Sequence, residues 1–211
     1  MRRRSKRDFR GHAHLHLHIE SGRRSETRTL EGSPIPEEQV RPFAALLDKG
    51  VITVTERDRF SELEESGYGG REGKGLALRD YEALYLLYVK KLDLADSDGR
   101  KVSFERLAEI SQKKAEDFWT KFVIYRDLRS RGYVVREGFG FGTDLRVYER
   151  GDYPKKPAKY VVFALDEGIE KGMADLQKSV KEMAKMGKEA IIAVIERRGE
   201  VIYYKVSRAR F

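Results

Sequence analysis

The sequence predicts an α/β (α+β) protein in which a mixed, largely helical N-terminal domain precedes a compact C-terminal α/β domain with a central mixed sheet. Before Tyr133, many apolar residues recur at helical spacing, in segments that end at glycines. From Tyr133 onward, the apolar residues lie in short β-branched and aromatic runs. A chain of 211 residues is long enough for two domains of about 100 residues each. We expect a basic arm and His-rich strand over residues 1–20, a first domain over 21–130 and a second over 131–211.

Composition favours a polyanionic partner and excludes several kinds of site. Lysine and arginine total 43 against 35 aspartate and glutamate, which gives a formal net charge of +8. This excess suits nucleic acid, although it also fits solubility alone or the ion-pair networks of a heat-adapted protein. The absence of cysteine excludes disulfides, thiolate zinc ligands and a cysteine nucleophile.

The sequence gives no sign of a membrane segment. No apolar run approaches the roughly 20 residues that a helix needs to span a bilayer. The N-terminal MRRRSKRDFR is basic, but it is not followed by the apolar segment of a secretory signal. We expect a cytoplasmic protein without a membrane contact.

All four histidines of the chain lie in one short segment, GHAHLHLHIE. They alternate with apolar residues, and this period of two predicts a strand with its histidines on one face. Neighbouring imidazoles at this spacing could share a metal ion, but no carboxylate or thiol at an obvious spacing completes the set. We favour a half-exposed strand face and expect no metal and no cofactor. The histidines are His12, His14, His16 and His18.

The first domain is expected to contain several helices and a short strand, VITV. Residues Pro36 to Gly50 show a helical pattern, with Val40, Phe43, Ala44 and Leu47 on one face. A brief helix over ERDRFSELEE leads into a glycine-rich loop, Gly67 to Gly75, that lacks the spacing of a phosphate-binding loop. The next helix, LRDYEALYLLYVKK, carries an aromatic stripe typical of a core.

Two further helices complete this half of the chain. Ser103 is a suitable cap for a helix that carries Phe104, Leu107 and Ile110. The last helix uses Phe118, Phe122, Tyr125 and Leu128 and ends at Gly132. Its basic residues indicate a solvated face more than a phosphate-binding stripe; they are Lys121, Arg126, Arg129 and Arg131.

The second half predicts five strands and one helix. The strands are YVVRE, DLRVYER, KYVVFAL, AIIAVIE and VIYYKVSR, and the turn RRGE joins the last two. The helix runs from Gly168 to Met186, with Leu176, Val180 and Met183 on its buried face. Near-continuous apolar runs such as YVVFAL predict central strands that are covered on both faces.

The order of these segments resembles the archaeal tRNA-splicing endonucleases. YRDLRSRGYVVREGFGFGTDLRVYERGDYP, the strands that follow and GKEAIIAVIERRGEVIYYKVSR resemble the C-terminal domain of that family. GYGG with LALRDYEALYLLYVKKLDL resembles its N-terminal domain. Each motif is loose, but their order and spacing from about Val51 to Phe211 make the resemblance specific.

The resemblance implies a reaction and a set of residues. Members of the family cleave precursor tRNA at bulge-helix-bulge junctions without a metal, leaving a 2',3'-cyclic phosphate and a 5'-hydroxyl, with a tyrosine, a histidine and a lysine. Tyr148 falls at the tyrosine position, at the end of DLRVYER, and Lys188 at the lysine position, before AIIAVI. The histidine position holds Ala158, or Pro157 if the loop is one residue tighter.

The missing histidine suggests a structural role. Loss of a general acid typically lowers a rate by about a hundredfold to ten-thousandfold. Lys155, Lys156 or Lys159 could substitute, but a solvated lysine, with a pKa of about 10.4, releases its proton poorly at neutral pH. The resemblance therefore implies the structural subunit of a heterotetramer with two catalytic chains, in which Tyr148 and Lys188 are vestigial.

Precursor tRNA and a catalytic endonuclease subunit are the expected partners. Four basic residues are expected to contact RNA phosphates: Lys155, Lys156, Arg208 and Arg210. The family often docks an acidic turn between its last two strands into a basic cleft of another unit. Here that turn, residues 196–200, contains two arginines, which puts this docking in doubt. The two terminal strands are expected either to contact a neighbouring chain or to be buried within this one.

Two other functions are compatible with the sequence. The chain could be an active endoribonuclease in which Tyr148 and Lys188 work with a substitute acid. It could also be a nucleic-acid-binding protein that is unrelated to splicing.

Overall fold

A computed structural model describes residues 41–139, 145–165 and 173–207, with the side chains of residues 165 and 173–176 excepted. The predicted His-rich strand and the predicted RNA contacts Arg208 and Arg210 lie outside these ranges. No helix in the described part of the chain has both the length and the apolar character needed to cross a membrane.

The first sheet has five strands in the order β3-β4-β2-β1-β5. Its strands are β1 (Phe43–Asp48), β2 (Val51–Val54), β3 (Gly70–Glu72), β4 (Gly75–Leu78) and β5 (Leu92–Asp96). Only the pair β1–β5 is parallel. The helices of this half are α1 (Phe60–Glu65), α2 (Asp80–Tyr88), α3 (Phe104–Lys114) and α4 (Phe118–Ser130). The side chain of Ser103 caps α3 as predicted, accepting a hydrogen bond from Arg106 N.

The helix predicted over Pro36 to Gly50 is wrong where the structure describes it, because Phe43–Asp48 is strand β1. Burial alternates along this segment, with Phe43, Ala45 and Leu47 facing the core, which is the period of a strand. Lys49 and Gly50 both have positive φ, 46° and 82°, as a tight hairpin turn requires. The apolar spacing fitted either structure, and the Lys49-Gly50 turn was the signal that distinguished them.

The second sheet has the order β10-β9-β8-β7-β6, and only β8 and β9 are parallel. Its strands are β6 (Val134–Glu137), β7 (Leu145–Tyr148), β8 (Tyr160–Leu165), β9 (Glu189–Ile195) and β10 (Val201–Val206). Helix α5 (Met173–Lys185) connects β8 to β9. The predicted α/β fold class is confirmed, and the five strands of this half lie where the sequence predicted them.

Central strands of the second sheet are covered on both faces, as their apolar runs predicted. Val162 and Ala193 join the main core, which also contains Phe122 and Tyr125 of α4. Val161 and Ala190 face the other side, where they form a smaller cluster with Met183 of α5. Helix α4 therefore packs on one face and α5 on the other.

Helix α4 also connects the two halves of the chain. The main core runs from Ile52 and Leu76 of the first sheet through Phe122 to Val135 and Val147 of the second. Arg129, expected on an exposed helix face, is half-buried. Its guanidinium lies 3.9 Å from the ring centroid of Tyr68 and donates two hydrogen bonds to Ser66 O.

A buried carboxylate reinforces this junction. Glu82 of α2 is only 2% exposed and accepts hydrogen bonds from Gly69 N at 3.0 Å and Arg79 N at 2.9 Å. Nη1 of Arg136, on β6, lies 3.6 Å from the other carboxylate oxygen. Burial raises the pKa of Glu82, and the backbone hydrogen bonds and the Arg136 charge oppose that rise. One side chain thus joins α2, the Gly69 loop and the second sheet.

We expect Glu82→Ala to lower the free energy of unfolding by about 3–5 kcal/mol, because it removes one partner from a buried charged network. Glu82→Gln should cost less, since it keeps the shape and one acceptor without the buried charge. Urea unfolding followed by circular dichroism measures both. Glu72→Ala, at an exposed position of the same half, is the control and should change stability by about 0.5 kcal/mol at most. Equal midpoints for Glu82→Ala and the control would show that the network does not stabilise the junction.

Candidate active site at one end of the second sheet

Strand pairing brings the predicted tyrosine and lysine positions to the same end of the second sheet. Val147 pairs with Tyr160 across β7 and β8, and Tyr160 pairs with Glu189 across β8 and β9. The ladder extends one residue further, because Lys159 N donates to Val147 O and Glu189 N donates to Lys159 O. Tyr148, Lys159 and Lys188 therefore occupy neighbouring positions on three adjacent strands.

Tyr148 is buried at the end of β7. Its ring packs edge-on against Tyr153, with a centroid distance of 4.9 Å. Tyr153 belongs to the turn after β7, in which Lys156 N donates to Asp152 O at 2.8 Å. The tyrosine is thus held between the sheet and a compact loop that ends at Ala158.

Lys188 lies beside the loop in which the family histidine was expected. Its Nζ donates a 2.7 Å hydrogen bond to Ala158 O and lies 5.3 Å from the ring centroid of Phe139. Burial lowers the pKa of Lys188, and the nearby charge of Arg146 lowers it further. The ammonium is therefore fixed to the backbone of the position that lacks an imidazole.

The two alternatives for the histidine position differ in exposure. Ala158 is 5% exposed and its side chain faces the interior, whereas Pro157 is exposed. An imidazole at 157 would face solvent, and one at 158 would have to displace packed atoms. Neither residue that is present carries a group able to donate a proton.

Two of the lysines near Tyr148 form ion pairs. Lys159 Nζ donates to Glu149 Oε1 at 2.7 Å, and this bond raises the pKa of Lys159. The same bond lowers the pKa of Glu149, with a second contribution from the Tyr160 hydroxyl. Lys156 Nζ donates to Asp152 at 2.8 Å, and Lys155 is exposed. A higher pKa makes Lys159 a weaker acid than a free lysine.

Sequence reasoning missed three residues of this region. Arg146 lies two residues before Tyr148 and thus on the same face of β7, a relation that the period of two could have revealed. Glu149 follows the tyrosine directly. Phe139 lies between β6 and β7 and contacts both Arg146 and Lys188, and no local pattern indicated that contact. Among the described residues, no three histidine, aspartate or glutamate side chains are grouped in a way that could hold a metal ion.

Comparison with known proteins agrees with this architecture. Residues 44–108 match the model of the tRNA intron endonuclease N-terminal domain, and residues 118–203 match that of the tRNA intron endonuclease catalytic C-terminal domain. The match therefore begins within β1, before the Val51 start that the sequence suggested.

Several archaeal proteins with the name tRNA-splicing endonuclease are similar to this chain. The protein of Methanococcus vannielii is 32% identical over 166 residues, which cover 79% of this chain and 94% of that protein. The protein of Pyrococcus furiosus is 34% identical over 145 residues, 69% of this chain and 83% of that protein. The protein of Thermococcus onnurineus is 31% identical over 159 residues, which cover 74% of this chain and 91% of that protein. Both domain matches and these identities show that the chain belongs to the tRNA intron endonuclease family.

Proposed function

We propose that this chain is the structural, RNA-contacting subunit of a tRNA-splicing endonuclease. It would assemble with a catalytic chain into a heterotetramer of two structural and two catalytic chains, which cleaves introns at bulge-helix-bulge junctions of precursor tRNA. One observation carries the proposal: the loop beside Tyr148 and Lys188 offers a proline and an alanine where the reaction needs a proton donor.

The chemistry of the cleavage explains why this absence supports the proposal. A base must remove the proton of the ribose 2'-hydroxyl, an acid must protonate the leaving 5'-oxygen, and a cation must offset the charge that develops on phosphorus. Lys188 could supply the cation, and Tyr148 stands at the family's tyrosine position. Lys159, whose pKa is raised by Glu149, is poorly suited to replace the acid.

Two observations favour the alternative that this chain is itself an active endoribonuclease. Tyr148 and Lys188 lie at the same end of the sheet, separated by β8, and the lowered pKa of Lys188 brings that group nearer to the pKa of a useful acid. This chain would then use Lys188 as both cation and donor. Its Nζ is directed at Ala158 O, however, and would have to leave that carbonyl to reach a substrate.

The basic residues of the loop supply the proposed RNA contact. Lys155 is exposed, and Lys156 is exposed although it pairs with Asp152. These two lysines would place positive charge in the loop beside Tyr148, and Arg208 and Arg210, which follow β10 in the sequence, are proposed as further contacts. Contacts of this kind hold a phosphate backbone without regard to sequence and weaken as salt rises.

The last hairpin supports assembly with another chain. Among the described strands, β10 is the edge of the second sheet, and five of its six residues are half-buried. An edge strand of this kind can pair with a strand of another chain. The turn that follows β9 is closed by a hydrogen bond from Glu196 N to Glu200 O. Its two arginines would favour an acidic receiving surface over the basic cleft usual for the family.

A crevice of about 340 Å³ lies between the two sheets, and we propose it as the receiver for an acidic turn of another chain, if one docks on this chain. It is lined by four arginines, of which Arg71, Arg79 and Arg136 already pair with Glu64, Glu137 and Glu82. An acidic turn entering this crevice would have to compete with these ion pairs, so we propose that any docking here is weaker than in a crevice with free arginines.

The proposal predicts that this chain's tyrosine and lysine are dispensable. The affinity-tagged chain, with Tyr148→Phe and Lys188→Ala together, is recovered with its catalytic partner, and the complex is assayed on a bulge-helix-bulge RNA. Cleavage should stay within about twofold of the unaltered complex, because the partner supplies all reacting groups. As the control, the corresponding tyrosine and lysine of the partner are replaced, and the rate should fall by about a hundredfold or more. A comparable loss from the change in this chain would mean that it takes part in the reaction.

A further inference from the structure

A groove separates α5 from the end of the sheet formed by β9 and β10, and it has a volume of about 530 Å³. Its floor is apolar and consists of Val180 and Ala184 of α5, Ala190 of β9 and Val206 of β10. This volume is in the range of sites that hold a small molecule or a single nucleotide unit, so a nucleic-acid duplex would not fit within it.

The rim of the groove is strongly basic. Four lysines line it, against one glutamate, and they are Lys181, Lys185, Lys188 and Lys205. Lys205 pairs with the glutamate, Glu189, at 2.9 Å, and Lys185 pairs with Glu182 outside the groove, at 2.9 Å. Within the described residues, Lys181 is exposed and makes no ion pair. The groove therefore keeps an excess of positive charge that suits an anion.

Lys181 and Lys185 are four residues apart on α5, so their side chains are neighbours on one face of the helix. They lie along one wall, and Lys188 stands at the inner end beside Ala158 O. Because Lys188 lines the groove, the groove adjoins the candidate site at Tyr148 and Lys188. None of its described lining residues is aromatic, which leaves no platform for base stacking, so binding would depend on the attraction between lysines and phosphates.

On the basis of the proposed function, we propose that this groove binds a single strand of RNA through its phosphodiester backbone. Lys181 and Lys185 hold successive parts of the backbone, and the apolar floor accepts a sugar or base without selecting its identity. Lys155 and Lys156, the two described residues among the RNA contacts named earlier, do not line the groove, so this surface is additional to theirs.

The first test measures binding of a fluorescein-labelled oligouridylate to the full chain by fluorescence anisotropy over a series of KCl concentrations. Lys181→Gln with Lys185→Gln should lower the slope of log Kd against log salt by about 1.4, because each phosphate contact with a single strand contributes about 0.7. The affinity at physiological salt should fall by about tenfold. Lys74→Gln with Lys113→Gln removes the same charge from exposed positions of the first half and is the matched control. Equal salt slopes for the groove double variant and the control double variant would overturn the proposal.

A second pair of variants tests the groove without removing a lysine. Ala184 is exposed in α5, and both glutamate and glutamine are good helix formers, so neither substitution threatens the fold. Ala184→Glu adds a negative charge to the floor and should weaken binding at least threefold more than Ala184→Gln, which adds the same bulk. Equal binding by the two variants would show that no phosphate lies near residue 184.

The design separates this inference from the proposed function. In one outcome, the double variant Lys155→Gln with Lys156→Gln weakens binding while Lys181→Gln with Lys185→Gln does not. In that case the groove proposal fails and the RNA-contacting role stands. If the unaltered chain binds neither the oligouridylate nor a precursor tRNA transcript, the RNA-contacting role fails and the groove proposal with it. A hairpin duplex is the last comparison: a larger effect of the groove pair on the duplex than on the oligouridylate would overturn the assignment to a single strand.

Discussion

The pairing of β8 with both of its neighbours is the constraint on which the site depends. Strand β8 runs antiparallel to β7 and parallel to β9, and α5 provides the connection that a parallel pair requires. This register sets Tyr148, Lys159 and Lys188 side by side. A shift of one residue in either ladder would turn one of these side chains to the face covered by α4, and the arrangement would be lost.

The residues of this arrangement also have packing roles of their own. Lys188 contacts Ala158 O and Phe139, while Tyr148 packs on Tyr153. These contacts stabilise the end of the sheet whether or not a reaction takes place there. We infer that such packing is a sufficient reason for both side chains to be present in a chain whose chemistry is supplied by a partner, with Lys188 also forming the inner end of the proposed RNA groove.

Sequence patterns predicted the second half well because its strands are short, apolar and separated by clear turns. They failed at β1, where Phe43, Ala44 and Leu47 fit a helix as well as a strand, and pairing with β2 and β5 decided the outcome. The strand β5 and the hairpin of β3 and β4 were also missed, since glycines and charges obscured them. Glu82 and Phe139 could not be predicted, because their roles depend on contacts between segments far apart in the chain.

The most direct test of the missing donor is single-turnover cleavage of a bulge-helix-bulge RNA by the purified chain alone, compared with its Pro157→His variant. The account predicts no product with a 2',3'-cyclic phosphate from the unaltered chain. The variant places an imidazole at the exposed position of the loop beside Tyr148 and should give a measurable rate. Cleavage at the junction by the unaltered chain would contradict the account, since it would show that the chain already contains a competent acid.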